Sequence, residues 1–327
     1  MLTYTKLLER YTELTDDSQE NINVGGGYIN DSIRTICNIQ GGKLRFLEDV
    51  VELETVANQE GYQIPNKFRK IIDLYISNVA GTPTENTIYM PEMIFDPTRW
   101  KTILAYRLGF SDVPYFTYVQ AQKFLIQPIP STSGNIITVR GRLNTRDLSH
   151  QDYTTGTIVS VANEGTTVTG SGTSWTSGME GRYINIPNTT ASNGGDGFWY
   201  EIASVTSATE LELLKPYSGE SIVAGSASYT IGEVPVVPEA YQMAIVYRSA
   251  ALYWENHEEP NKARMYWTKY DGGNELGINP NYGGIISQML SNEGETEEGS
   301  YIPPVGKRSN LPDAPYYLPY QDASGFN

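Results

Sequence analysis

Apolar residues recur at helical spacing near the start of the chain. Five of them define one face of a first helix: Tyr4, Leu7, Leu8, Tyr11 and Leu14. Thr3 precedes this helix and is a candidate N-cap. A polar, Gly-rich run over residues 16–27 predicts a loop, after which residues 29–37 predict a second helix that ends at Gly41 and Gly42. Neither helix can bury its apolar face alone, so the pair needs another apolar surface.

From Lys43 the pattern changes to the period of β-strands. Residues 53–56 predict a strand, and residues 62–65 predict its hairpin return. The other strand-like segments are residues 68–77, 116–119, 123–127 and 136–143, of which the middle two predict a hairpin. Asp96 followed by Pro97 predicts a helix start within residues 91–108.

Residues 155–232 contain short strand-like runs separated by Gly, Ser and Asn turns. The runs are residues 157–161, 166–169, 183–186, 198–205, 210–214 and 228–231. Gly165 can supply the positive φ of a tight turn after the first run, and residues 193–197 form the longest loop tip. Six such strands predict a small antiparallel barrel or sandwich.

The helical period returns after Pro238. Seven apolar or aromatic residues on two successive helices are candidates for a ring interface: Tyr241, Ala244, Ile245, Tyr247, Trp254, Tyr266 and Trp267. A helix that is apolar over so much of its circumference packs in a core or between subunits, and both alternatives stay open. Pro260 begins the second of these helices, and residues 285–290 form a further short one. From Ser291 the chain has five prolines and no period, which predicts an extended arm.

These elements predict an α+β protein with a helical bundle core and accompanying β-strands. An inserted small antiparallel β-barrel or sandwich and an extended C-terminal arm complete it. The core is discontinuous and comprises residues 1–154 and 233–290. The inserted module comprises residues 155–232, and the arm comprises residues 291–327.

Composition favours protein contacts over nucleic-acid binding. The chain has 24 Tyr among 327 residues and only 19% charged residues, which suits half-buried sheet faces and interfaces. Its net charge of −15 argues against a DNA-gripping surface, because phosphate contacts need Lys and Arg. An acidic wall would instead let a duplex slide past. The N-terminus lacks the features of a signal peptide and no membrane span is expected, so we expect synthesis in a reducing cytoplasm.

The sequence predicts no catalytic, cofactor or metal site, and therefore no enzyme. Cys37 is the only cysteine and lies on an apolar helical face, which indicates a buried structural thiol. His150 and His257 have no spaced ligand partners for a metal. The Gly-rich runs at residues 25–27 and 170–172 are not followed by the Lys-Ser/Thr of a phosphate loop.

Three stretches resemble tailed-bacteriophage head-to-tail connector (adaptor) proteins. They are Asn30-Asp-Ser-Ile-Arg-Thr-Ile-Cys-Asn, the run Val234-Pro-Val-Val-Pro-Glu-Ala-Tyr, and TTVTGSGTSWTSGMEGRYINI from Thr166, which is similar to a β module of longer members. The resemblance implies a structural protein of the virion neck, in a homo-oligomeric and usually dodecameric ring around the DNA channel. The implied partners are the portal protein, tail, nozzle or fibre proteins, and passing genomic DNA without specific binding; no membrane is implied.

The resemblance also implies a role for the arm, which docks on the portal in that family. The expected anchors are the large residues Tyr316, Tyr317, Leu318 and Tyr320. A competing interpretation is a carbohydrate- or receptor-binding protein that uses aromatic residues of the β module. For that interpretation Trp175 and Asp196 are the candidate surface residues, with residues 198–200 as further platform members.

Overall fold

A computed structural model describes residues 1–15, 22–77, 88–106, 114–188, 194–272 and 284–293. Helices and β-sheets both contribute, so the predicted α+β class is confirmed. The described residues lie within one compact unit, residues 1–294. They form a helical cluster and three β-sheets.

The helical cluster is built from both parts of the chain that flank the sheets. Its helices are α1 (Tyr4–Thr15), α2 (Ile22–Asn38), α4 (Gln242–Asn256), α5 (Pro260–Asp271) and α6 (Ile285–Glu293). Helix α4 packs against α1, α2 and α5, and α6 packs against α4 and α5. Leu7, Ile29 and Ile245 are fully buried in the shared core. The first helix pair therefore buries its apolar faces against helices about 200 residues later in the chain.

The start of α2 differs from the sequence prediction. The predicted loop over residues 16–27 is wrong from Ile22 onward, because the helix begins there and includes Gly25, Gly26 and Gly27. A Cβ atom on Gly25 would lie 2.8 Å from Tyr11 Cε1, and one on Gly26 would lie 2.3 Å from Tyr4 Oη. Close packing against α1 thus selects glycine at these two positions, despite its low helix propensity.

Two four-stranded sheets follow α2. The first sheet has the order β1-β8-β3-β4, with β1 at Glu48–Glu54, β8 at Ile136–Leu143, β3 at Phe68–Ser77 and β4 at Ile88–Tyr89. The second sheet has the order β2-β7-β6-β5, with β2 at Gly61–Gln63, β7 at Lys123–Gln127, β6 at Phe116–Gln120 and β5 at Glu92–Ile94. Buried residues of both sheets form one core, so the two sheets make a sandwich with a core of its own.

The sandwich corrects one predicted hairpin and confirms another. Strand β2 does not return along β1; it pairs with β7, where Tyr62 opposes Phe124 with ring centroids 5.5 Å apart. The aromatic pair fills part of the core between the two sheets. The stability gained from this packing favours the β2–β7 pairing over a hairpin between β1 and β2, which are close in sequence. The predicted β6–β7 hairpin is confirmed, with Phe116 opposite Gln127.

Helix α3 (Pro97–Ala105) covers part of the second sheet. It begins at Asp96-Pro97, as predicted. Asp96 is its N-cap, and its Oδ1 accepts a hydrogen bond of 2.9 Å from the Thr98 N–H. Trp100 stacks on Tyr118 of β6 with ring centroids 5.4 Å apart. The opposite side of α3 faces solvent.

The third sheet lies within residues 157–232. Its order is β14-β11-β12-β13-β10-β9, with β9 at Thr157–Val161, β10 at Thr167–Ser171, β11 at Tyr183–Asn185, β12 at Trp199–Ser207, β13 at Glu210–Leu213 and β14 at Thr230–Gly232. All its paired strands are antiparallel. The turn after β9 places the positive φ of 60° on Glu164 rather than on Gly165.

Backbone bridges join the two edges of this third sheet. Three antiparallel bridges connect the β9 side with the β14 side: Ile158 to Ala227, Val161 to Ile222, and Tyr153 to Ile231. Their hydrogen bonds measure 2.8–3.1 Å between nitrogen and oxygen. This arrangement favours the barrel over the sandwich alternative for the module.

Candidate functional site

The junction between the β module and the helical cluster is held by one buried carboxylate. The chain approaches the module through residues 144–154 and leaves it through residues 232–237. The carboxylate of Glu233, which is 3% exposed, accepts hydrogen bonds from the N–H groups of Ser149 (2.6 Å) and His150 (2.9 Å). His150 Nδ1 lies 2.8 Å from the same carboxylate. Glu233 therefore ties the two crossing segments together.

The charge on Glu233 is maintained by its surroundings. Burial raises its pKa, but the hydrogen bonds from His150 and Ser149 outweigh burial, and the net shift of the pKa is downward. Arg146 Nη2 lies 3.5 Å and Arg182 Nε 4.0 Å from Glu233 Oε1. The ionised form is thus the one for which this junction is built.

Further contacts bind the crossing segments to α1 and α2. The Asn30 side chain bonds the backbone of Leu148 in both directions, with two distances of 2.9 Å. Arg34 forms a two-pronged ion pair with Asp147. The Tyr4 N–H donates to the Glu233 carbonyl oxygen at 2.8 Å. These contacts hold the segments that lead into and out of the module against α1 and α2.

The predicted ring-interface residues are mostly inside the chain. Ala244 and Ile245 are fully buried in the helical core, and Tyr241 is buried beside them. Trp254 and Tyr266 are also buried, and each donates a hydrogen bond of 3.1 Å to the Leu14 carbonyl oxygen. The sequence pattern was compatible with either a core or a subunit interface for these residues. In the structure, all five belong to the core of the chain.

The other two members of that set remain accessible. Tyr247 and Trp267 are only partly buried and pack at the margin of the helical clusters. Trp267 Nε1 donates to Glu255 at 2.6 Å. Contacts with another subunit at this face can therefore involve only the margin of the predicted surface.

In the β module, Trp175 is a core residue. It is 3% exposed, its Nε1 donates to the Tyr229 hydroxyl at 2.9 Å, and the two rings meet edge to face with centroids 5.8 Å apart. The prediction that Trp175 lies on the module surface is therefore wrong. The neighbouring glycines in the sequence indicated a loop, and they gave no sign that the Trp175 side chain packs in the core of the module.

Asp196 organises a loop at the edge of the module. Its Oδ1 accepts from the Phe198 N–H at 3.0 Å, and its Oδ2 accepts from the hydroxyls of Tyr200 and Ser218. Phe198 is 65% exposed, whereas Tyr200 is buried. The aromatic platform expected for a carbohydrate therefore lacks Trp175 and Tyr200.

The predicted anchors of the C-terminal arm lie outside the described residues: Tyr316, Tyr317, Leu318 and Tyr320.

One surface went unrecognised in the sequence. Large apolar side chains around α3 are exposed: Met90, Phe95, Leu104, Tyr106 and Tyr115. Periodicity could not separate them from core residues, because α3 has buried residues such as Trp100 and Ile103 among the exposed ones. Phe95 occupies the position before the N-cap, where an apolar residue often packs onto the helix, yet it is 78% exposed.

The described residues offer little reactive chemistry. They contain no group of three or more His, Cys, Asp or Glu side chains able to hold a metal ion. Burial raises the pKa of the Cys37 thiol to about 12, so the thiolate form is scarce near neutral pH. None of the described helices has the length and hydropathy of a membrane-spanning segment.

Comparison with protein families supports one of the two functional classes. Residues 2–163 match the SU10 adaptor protein family. This match supports a phage adaptor, in agreement with the resemblance drawn from the sequence. It spans α1, α2, the whole sandwich and the first strand of the module, while most of the module and helices α4–α6 lie beyond it. No curated protein matches the chain.

Proposed function

We propose that this chain is a phage adaptor that forms a ring between portal and tail, joins head to tail and surrounds the DNA channel. The observation that carries the proposal is the family match over residues 2–163. The proposal extends that match to a longer adaptor with an inserted β module. In this proposal the protein connects its partners through the geometry of its surfaces and catalyses no reaction.

The rigidity of the junction supports this mechanical role. A subunit that spaces two large assemblies must transmit position without bending, and the buried Glu233 carboxylate holds both crossing segments against each other. Removing one partner of such a buried charged hydrogen bond is costly, so the module keeps a fixed place on the helices.

The charge of the chain supports passage of DNA. A net charge of −15 disfavours phosphate binding, and the repulsion acts over roughly 8–10 Å at physiological salt. Around a channel this charge would let DNA move without adhering. The margin residues Tyr247 and Trp267, and the arm anchors Tyr316, Tyr317, Leu318 and Tyr320, are proposed contacts with the next subunit and with the portal.

Electron microscopy of negatively stained particles tests the proposal. The full-length protein is imaged alone and with the portal protein of the same virus, and rings that dock coaxially on the portal are the expected result. Protein that stays monomeric both alone and with portal would contradict the function. Truncation before Ser291 should leave ring formation intact and abolish docking, whereas unchanged docking would remove the arm from the proposal.

Deletion of residues 155–232 separates the module from ring formation. Because these residues contain the third sheet and its own core, a short linker can replace them at the junction. We expect rings that form and dock on the portal but fail to recruit a tail component. Loss of the rings themselves would show that the module takes part in ring assembly.

A further inference from the structure

Exposed apolar side chains concentrate on the two outer margins of the sandwich. Seven of the thirteen large apolar residues that are exposed in the described part of the chain lie there. Five belong to the α3 patch, which we define as Met90, Phe95, Leu104, Tyr106 and Tyr115. The other two, Val50 and Val56, lie on and just after β1. Patches of this kind on a soluble protein commonly mark protein contacts.

The α3 patch combines apolar area with a cation. Phe95 and Tyr106 are 78% and 75% exposed, at the two ends of α3. Lys101 is exposed on the same helix, one turn before Leu104. The neighbouring Arg99 is held by Glu92 in an exposed ion pair. Lys101 therefore provides the positive charge beside this apolar surface.

The acidic margin, which we define as strand β1 and its exposed side chains, has the opposite character. β1 carries Glu48, Asp49, Glu52 and Glu54 within seven residues and has no cation of its own. Lys67 pairs with Asp49 at 2.6 Å, and Arg140 of β8 lies opposite Val50 and pairs with Asp73, so the exposed Glu52 and Glu54 carry the acidic character of this margin. Val50, Glu52 and Glu54 share its exposed side, while Val51 and Leu53 point toward the sandwich core. A margin that pairs exposed valines with carboxylates complements a margin that pairs exposed aromatics with a lysine.

The two margins lie on opposite sides of the sandwich. β1 and β2 come first in the two strand orders, and the Tyr62 hydroxyl of β2 contacts the backbone of Val56 just after β1. β4 and β5 come last in the two orders and are separated by only two residues. In the described part of the chain, β1 and β5 each have one strand neighbour, so each is an edge strand of its sheet.

We propose that the α3 patch of one copy binds the acidic margin of the next copy of this chain. Two different and complementary surfaces on opposite sides of one subunit are what a head-to-tail contact requires. A second copy of this chain is the partner that fits both surfaces. Its acidic margin offers carboxylates and valines to the lysine and aromatic residues of the α3 patch, and its α3 patch offers the reverse to the acidic margin. The inference rests on the proposed ring and names two surfaces of the sandwich that contribute to it, in addition to the contacts proposed for Tyr247 and Trp267.

Substitutions on each margin test the contact in the full-length chain. Phe95→Asp is directed at the α3 patch, and Glu52→Lys with Glu54→Lys is directed at the acidic margin. Val223→Asp is the matched control, because Val223 is 76% exposed but lies in the module. By size-exclusion chromatography with light scattering, each margin variant should lose assemblies above the monomer, whereas the control should assemble like the parent chain. Circular dichroism checks that all variants are folded.

Mixing provides a sharper test. Each margin variant keeps one intact surface, so an equimolar mixture of the two should form heterodimers and nothing larger. Charge exchange tests the pairing: Lys101→Glu alone should weaken assembly at least tenfold, and Lys101→Glu combined with Glu52→Lys should recover most of it. Weaker assembly at high salt should accompany this recovery.

Three results would overturn the inference. Both margin variants could form rings as the parent does, which would leave the ring function intact but place its interface elsewhere. Carboxylate reversal could cause irregular aggregation without loss of rings, which would make the acidic margin only a guard against edge pairing. The third result is a parent chain that never assembles, which would contradict the ring proposal as well as this inference. If the parent chain assembles only in the presence of the portal protein, assembly of the variants is measured there.

Discussion

The glycines of α2 provide a prediction with an internal control. Gly26 is buried and a Cβ there would lie 2.3 Å from Tyr4 Oη, whereas a Cβ on Gly27 would meet nothing within 4 Å. Replacement of Gly27 by Ala therefore adds only helix propensity, and should stabilise the protein by about 0.5–1 kcal/mol. Gly26→Ala brings the same gain in helix propensity, but its added methyl group also overpacks the contact between α2 and α1.

The magnitude for Gly26→Ala follows from these opposing effects. Overpacking a core by one methyl group costs about 1–3 kcal/mol. After the gain in helix propensity, a net loss of about 0.5–2 kcal/mol remains. Because the Tyr4 Cζ would be at an ordinary 3.5 Å from the new Cβ, the hydroxyl alone causes the clash. Tyr4→Phe should therefore rescue Gly26→Ala.

Thermal unfolding followed by helical circular dichroism measures the whole series. A change of 1 kcal/mol corresponds to a shift in Tm of about 2–4 °C for proteins of about 150–250 residues, and to a smaller shift for a chain of this length. We expect a higher Tm for Gly27→Ala, a lower Tm for Gly26→Ala, and a positive coupling between Gly26→Ala and Tyr4→Phe. Equal shifts for the two glycine variants, or additive effects in the double variant, would refute the packing argument.

Three further predictions concern other buried groups. The folded-state pKa of Glu233 lies below its ordinary value of 4.5, so its contribution to stability should be complete above pH 4.5 and decline as pH falls below it; Glu233→Gln should remove that dependence in unfolding measured against pH. Trp175→Ala should destabilise the module by about 3–5 kcal/mol in chemical denaturation, and Trp175→Phe by less. Cys37 should resist alkylation at pH 8 in the native protein and react once urea unfolds it; fast native labelling would contradict its burial.

Local patterns predicted the regular elements well. The segment 68–77 is strand β3 with the same limits, and residues 123–127 are strand β7, because alternating and β-branched residues carry information about strands locally. The Asp96 cap of α3 was predictable for the same reason, since capping depends on the nearest few residues.

Pairing and exposure depended on contacts far apart in sequence. β2 pairs with β7 because Tyr62 and Phe124 share the sandwich core, and no neighbour of Tyr62 signals this. The junction was missed for the same reason, since Glu233 meets residues 149 and 150 only in the fold. Buried and exposed apolar residues have the same local pattern, so the sequence could not distinguish the buried Ile245 from the exposed Phe95.

The discontinuous helical cluster has a consequence for synthesis. Helices α1 and α2 leave the ribosome before α4, against which they pack and which follows about 200 residues later. At about 5–20 residues per second, their apolar faces wait roughly 10–40 s for that partner. During this interval the sandwich and the module can form their own cores, while the first two helices stay exposed to chaperones and to other nascent chains. Helices α4–α6 therefore complete the core that α1 and α2 begin, and a chain interrupted before α4 lacks that core.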